Sequence, residues 1–255
     1  MTVYFIGAGP GDPELITVKG QRLIRRCPVI LYAGSLVPEA VLQGHSAERG
    51  LNTAELHLEQ IITLLAEAHA KDHDVARVHS GDPSLYGAIG EQIRELRALQ
   101  IPFEIVPGVT AAAACAALLE AELTLPEVAQ TVILTRYGHN SPMPEGEELG
   151  ALASHRATMA IHLGVQHLPR IVEELLPHYG ADCPIAVVHR ASWPDQDWVR
   201  GTLADIEAKV AKKGFRRTAL ILVGRVLEAE DFAGSALYAE ATRHLFRQDG
   251  AGSTD

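Results

Sequence analysis

An apolar run closing on Gly-Asp-Pro occurs twice in the first third of this chain. Val3-Tyr4-Phe5-Ile6 leads into Gly7-Ala8-Gly9-Pro10-Gly11-Asp12-Pro13, and the run from Asp74 to His79 leads into Ser80-Gly81-Asp82-Pro83. Each reads as a strand, a tight turn and then a helix. In the first copy Asp12 stands at the N-cap and Pro13 at the first helical position. Glycines in such a turn let the backbone approach a neighbour or a ligand closely, at the positive end of a helix.

Apolar spacing extends the alternation. Glu14 to Arg26 reads as a helix, with Leu15, Val18, Leu23 and Ile24 on one face, and Pro28–Tyr32 as a strand. Ala33 to Pro38 is a loop. Leu58, Ile61, Ile62 and Leu65 recur at helical spacing, as do Leu85, Ile89, Ile93 and Leu96. Phe103–Val106 is a strand ending in Pro107-Gly108, and Val109 to Leu119 a helix of small residues. Strand–helix alternation predicts a mostly parallel sheet covered on both faces, with ligands at the carboxyl ends of its strands. Glu120 to Gln130 reads as a linker, giving an N-terminal α/β unit over 1–125 and a C-terminal one over 126–247. In the second unit, strands are predicted at 131–135, 157–163, 185–189, 198–201 and 219–223, with helices marked by Leu168, Ile171, Val172 and Leu175 and by Leu203, Ile206 and Val210. Residues 248–255 read as a flexible tail.

Several function classes are disfavoured. The formal net charge of -10 speaks against a general nucleic-acid or anionic-membrane binder. Cys27, Cys115 and Cys183 form no CxxC, so neither a disulfide framework nor a zinc site is suggested. His155, His162 and His167 do not share a helix face, and no metal site is expected. The amino terminus has no basic region followed by a long apolar one, and the apolar run at 109–119 is too short to span a bilayer; a cytoplasmic protein is expected. A dinucleotide fingerprint fails twice: the third glycine position holds Asp12, and the second strand ends in Tyr32-Ala33-Gly34 without a ribose-binding acid. What remains is a set of small-residue turns with few ionisable groups, suited to a cationic or weakly charged nucleoside rather than a polyphosphate. Asp82 has two readings there, a contact to a ligand's positive charge or ribose, and a helix N-cap. Thr110 likewise reads as a ligand contact or as the cap of the following helix.

Taken together and in order, the motifs resemble the tetrapyrrole (class III) S-adenosylmethionine-dependent methyltransferases. The carrying pieces are residues 7–13 followed by Leu15-Ile16-Thr17-Val18-Lys19-Gly20, then Ser80-Gly81-Asp82-Pro83, Val106-Pro107-Gly108-Val109-Thr110-Ala111 and Thr218-Ala219-Leu220-Ile221-Leu222-Val223-Gly224. Within that family, Tyr32-Ala33-Gly34-Ser35-Leu36-Val37, Leu134-Thr135-Arg136 and Pro142-Met143-Pro144-Glu145-Gly146-Glu147 are similar to the branch that methylates C11 of precorrin-4 in cobalamin biosynthesis. Relatives acting on uroporphyrinogen usually have an aspartate where this chain has Ala33. The resemblance implies a homodimer of two α/β domains with mostly parallel or mixed sheets, and a cofactor cleft between them. It implies S-adenosyl-L-methionine as methyl donor, leaving S-adenosyl-L-homocysteine. Pro10, Ser80, Gly81, Asp82, Leu85, Thr110 and Ala111 would line the cofactor from the first domain, and Leu163, Ala191 and Ala219 from the second. Arg136 and Ser35 are the candidates for tetrapyrrole contact, with Arg190, Lys19 and His139 behind them. His139-Asn140 departs from the glycine-arginine expected before the Pro142 loop. No catalytic base is implied. The alternatives are a cobalt-containing precorrin-4 substrate, another precorrin methyltransferase of the same fold, and a non-catalytic nucleoside- or tetrapyrrole-binding protein.

Overall fold

A computed structural model of the chain describes residues 1–34, 36–138, 141–229 and 232–234. Ser35, His139, Asn140 and the tail at 248–255 lie outside the described residues. Two five-stranded sheets organise the molecule. The first contains β1 (Val3–Gly7), β2 (Val29–Tyr32), β3 (Arg49–Asn52), β4 (Val75–His79) and β5 (Phe103–Val106) in the order β3-β2-β4-β1-β5. Every pairing in it is parallel. The second contains β6 (Val132–Arg136), β7 (Thr158–His162), β8 (Pro184–His189), β9 (Asp197–Thr202) and β10 (Ala219–Val223) in the order β6-β7-β10-β8-β9. Here only β6 and β7 run parallel; the other pairs are antiparallel.

The helices are α1 (Val18–Arg26), α2 (Leu58–Ala70), α3 (Ile89–Ala98), α4 (Ala111–Leu118), α5 (Leu149–Ala153), α6 (Leu168–Tyr179) and α7 (Ile206–Lys213). Two helix starts differ from the sequence expectation. Asp12 caps a short 3-10 turn, Pro13–Leu15, through the Glu14 amide, and α1 begins only at Val18, where the Thr17 side chain takes the Gly20 amide. Similarly Asp82 does not open α3. Its Oδ1 accepts from the Ser84 amide in a turn, and the helix starts at Ile89. In both cases local cap chemistry is satisfied within one turn, so the chain is free to reorient before the true helix. Strand β3 carries no apolar alternation (Arg49-Gly50-Leu51-Asn52) and is an edge strand fixed by its pairing with β2.

Both faces of each sheet are covered. One side of the first sheet packs Ile6, Leu23, Ile24, Ile30 and Val78, the other Val3, Phe5, Leu31, Leu65 and Leu96. The second sheet has a large core around Met159, Ile161, Ile171, Leu175, Ile185 and Ile221. Its opposite face is closed by α4, a helix that directly follows β5 of the first sheet. Ala112, Ala114 and Cys115 of α4 are buried with Ala160, Ala186, Val188, Leu220 and Leu222. Small side chains on both partners permit this close seating of helix on sheet. Thus α4 is a physical link between the two sheets. Among the described residues no helix is long and apolar enough to cross a membrane.

Candidate active site

The site is built where β1, β4 and β5 end. These strands are neighbours, with Gly7 in register with His79 and Ile6 with Val106. Their three turns therefore meet. Gly9 and Gly81 exchange backbone hydrogen bonds, Gly81 N to Gly9 O at 2.8 Å and Gly9 N to Gly81 O at 3.2 Å. A Cβ on Gly108 would lie 2.2 Å from Gly81 O and 2.8 Å from Gly7 Cα, and one on Gly7 would lie 2.6 Å from Gly108 Cα. These neighbours are backbone and cannot swing aside, so the meeting point admits only glycine at 7 and 108. Gly81 also has φ +63°, where other residues are strained.

Asp82 fastens the arrangement. While Oδ1 holds Ser84, its Oδ2 accepts from the Gly108 amide at 2.9 Å, tying the second turn to the third. The carboxylate is thus a bond between turns. Thr110 is the N-cap of α4, its hydroxyl accepting from the Ala113 amide at 3.3 Å. Of its two sequence readings the cap is realised. The amino end of α4, with Ala111 next in line, sits beside these turns.

The opening turn has a partner the sequence did not reveal. Trp193, in the loop after β8, donates from Nε1 to Pro10 O at 2.8 Å, and Ser192 Oγ accepts from the Asp12 amide at 3.0 Å. A Cβ on Gly11 would lie 2.2 Å from Trp193 Cδ1, so this glycine makes room for an indole. The Arg190 guanidinium lies 4.0 Å from the centroid of the Trp193 ring and is paired with Asp195 at 2.6 Å. Pro10 is buried under this contact. No local pattern could have indicated it, since the partners are more than 180 residues apart.

Residues at the ends of β7 and β8 face the same region. Leu163 has φ +56° and is 69% exposed, an unusual pair of properties for a leucine. Arg190 and Ser192 also have positive φ, at 50° and 67°. Such conformations in non-glycine residues gather at ligand sites, where the surroundings hold them. Ala191 is buried between those two, and Ala219 pairs in register with His189, so these two lie together at the β8–β10 end. Leu85 is half-buried in the loop after β4, held by a bond from its amide to Asp82 O.

Arg136, at the end of β6, donates to the carbonyls of Ser141 and Pro142, at 3.0 and 3.4 Å. It is therefore already engaged in shaping the loop beyond β6. Next to it, on β7, His162 donates from Nδ1 to Thr135 O at 3.2 Å, and burial holds its imidazole below the usual range. Tyr86, from the loop after β4, brings its ring to within 5.1 Å of that of His162. Its phenol is pushed up by burial; Arg136 nearby opposes the shift and Glu147 adds to it. Sequence reasoning did not single out Tyr86 or His162 as site residues. Lys19 is bonded instead to Glu104 of β5. Two surface depressions, of about 560 Å3 around Leu119, Arg200 and Phe232 and about 220 Å3 around Val29, Leu64 and His73, lie elsewhere and contain none of the predicted site residues.

Comparison with known proteins accords with this geometry. Residues 2–207 match the family described as Tetrapyrrole (Corrin/Porphyrin) Methylases. A protein of Pseudomonas aeruginosa named precorrin-4 C(11)-methyltransferase is 76% identical over 247 residues, covering 97% of this chain and 99% of that protein. Among solved structures, a cobalamin biosynthetic enzyme, cobalt precorrin-4 methyltransferase, is similar with a TM-score of 0.87 at 42% identity, over 89% of this chain and 96% of that one. A uroporphyrin-III C-methyltransferase from Thermus thermophilus, complexed with S-adenosylhomocysteine, is similar with a TM-score of 0.74 at 32% identity, over 89% of this chain and 99% of that one. With its parallel first sheet, mixed second sheet and conjoined glycine turns, the chain belongs to the tetrapyrrole methylases.

Proposed function

We propose that this enzyme transfers a methyl group from S-adenosyl-L-methionine to C11 of precorrin-4, giving precorrin-5 in cobalamin biosynthesis. The observation that carries the substrate is the 76% identity, across 97% of the chain, to a protein named for that reaction. The cofactor is supported by the turns themselves and by the S-adenosylhomocysteine in complex with the Thermus relative. Pro10, Ser80, Gly81, Asp82, Leu85, Thr110 and Ala111 include no lysine or arginine, and the Asp82 carboxylate lies among them. That lining fits a cationic nucleoside and disfavours a pyrophosphate. Leu163, Ala191 and Ala219 add an apolar or small lining from the second sheet.

When bound, S-adenosylmethionine supplies an electrophilic methyl on sulfur. The protein's part is then to hold the accepting carbon in line and to keep water away. In this reading the meeting of Gly7, Gly81 and Gly108 gives a rigid floor, and Leu163 an apolar wall. Arg136 pairs with substrate carboxylates, and Ser35 is a second substrate contact. Methylation of C11 makes that carbon quaternary, so no proton has to leave it.

The division into residues 1–125 and 126–247 belongs to the same reading, as does a cytoplasmic homodimer that binds neither nucleic acid nor membrane. Exposed Ile105 and Leu134, each 40% exposed and each on an edge strand, favour self-association. A cobalt-containing substrate is the second reading, favoured by the 0.87 TM-score to the cobalt precorrin-4 enzyme. Arg136→Ala tests the substrate assignment. In titration calorimetry it is expected to weaken tetrapyrrole binding about tenfold while S-adenosylhomocysteine binding changes little. Equal loss of both, or loss of neither, contradicts it. Thermal shifts with S-adenosylhomocysteine and NAD side by side test the cofactor, and stabilisation by NAD alone refutes it.

A further inference from the structure

The loop between β4 and α3 holds a side chain outside the proposed cofactor set. Tyr86 and Ala88 both have positive φ, 57° and 49°, on either side of Gly87. Gly87 itself has no room for a side chain, since a Cβ would lie 2.3 Å from Pro83 O. Two such departures from the favoured backbone need holding in place. A buried polar ladder beneath the loop does this. Gln92 Nε2 donates to Ala88 O at 3.1 Å, and its Oε1 accepts from Arg77 Nε at 3.1 Å. Arg77 in turn donates from Nη1 to Leu31 O at 3.4 Å. His79 is buried in the same layer, its Nε2 without a hydrogen-bond partner among the described residues. Arg77, His79 and Gln92 are 4, 5 and 3% exposed, inside a layer that is otherwise apolar. Burying such groups is unfavourable; Arg77 and Gln92 offset it with a chain of bonds that ends on Ala88 O and holds the loop from beneath.

The fixed residue is a tyrosine, 46% exposed. Its ring leaves the first sheet and rests against His162 of the second, 5.1 Å between centroids at a tilt of 50°. Arg136 is in register with His162 on the neighbouring strand, and its charge and that of Glu147 act on the Tyr86 phenol. An exposed aromatic face, backed by an imidazole and flanked by a guanidinium, suits a ligand that is both a flat conjugated ring and a polycarboxylate. We propose that Tyr86 is a substrate-positioning residue: its ring supports one pyrrole-derived ring of the tetrapyrrole, while Arg136 beside it takes that ring's carboxylates. This rests on the tetrapyrrole-methylating reading above, and it assigns to the first sheet a substrate contact in addition to its cofactor turns.

The experiment compares the full chain with Tyr86→Ala and Tyr86→Phe. Turnover of precorrin-4 gives kcat and KM, and calorimetry gives binding of S-adenosylhomocysteine and, separately, of precorrin-4 without methyl donor. Tyr86→Ala is expected to raise KM and the tetrapyrrole Kd about tenfold, with the S-adenosylhomocysteine Kd within about threefold of the parent. Tyr86→Phe keeps the ring and is expected to stay within about threefold on every measure. An unchanged KM and tetrapyrrole Kd in Tyr86→Ala, or an equal loss of cofactor binding, overturns the assignment. If the parent binds precorrin-4 in a Tyr86-dependent way without turning it over, the reaction is refuted and the contact stands. If the parent neither binds nor turns it over, both fall.

Discussion

Gly108 illustrates how tightly single residues are specified at this site. Its missing side chain admits the Gly81 carbonyl and the Gly7 backbone, and none of these can move without shifting a strand end. Gly108→Ala is expected to destabilise the fold by about 3 kcal/mol, the upper range for overpacking against unyielding atoms, and to weaken S-adenosylhomocysteine binding with it. Urea unfolding and calorimetry measure the two, and a variant of parental stability would contradict the close approach. Trp193 makes a different point. Trp193→Phe keeps most of the apolar contact with Gly11 but leaves the buried Pro10 carbonyl without its donor. A loss of about 1–2 kcal/mol is expected in the same assay. Glycine at 7, 9 and 11 could be read locally as turn chemistry; that Gly11 answers to an indole could not, because the cause is tertiary.

At the scale of elements, the strand ends were legible and the directions of many strands were not. Gly-Asp-Pro after an apolar run identifies a strand's carboxyl end from neighbouring residues alone, and β1 and β4 end there. The starts of α1 and α3 were not legible, because Asp12 and Asp82 close turns of their own and these helices begin later at Val18 and Ile89, whereas the Thr110 cap of α4 was. Edge strand β3 has no buried alternation to betray it. The antiparallel pairings of β10 with β7 and β8 depend on which strands become neighbours, and sequence periodicity is blind to that. Asp82 joins elements rather than opening one. Asp82→Ala should therefore release the Gly108 and Ser84 amides together and lower stability by about 2 kcal/mol. Amide exchange should quicken at both residues; acceleration at Ser84 alone would mean that the turns are not tied through this side chain.

For the whole molecule, two sheets are joined by α4 and by the contacts of Trp193 and Tyr86, and the buried His79 gives stability a pH dependence. Burial, with help from the neighbouring Arg77, pushes His79 from its ordinary 6.5 down to about 3. Between those values the unfolded chain takes a proton at this position and the folded protein does not. Stability thus falls as pH is lowered through that window. From about pH 7.5 to about pH 5.5, His79→Phe is expected to lose about 1 kcal/mol less unfolding free energy than the parent; identical losses would place a neutral, buried His79 in doubt.

The protein is incubated with S-adenosylmethionine and cobalt-free precorrin-4, the product mass is read, and the new methyl is located by NMR with labelled donor. A single added methyl is expected, on C11, with that carbon quaternary. No transfer in a protein that binds both ligands, or a methyl on any other carbon, would contradict it.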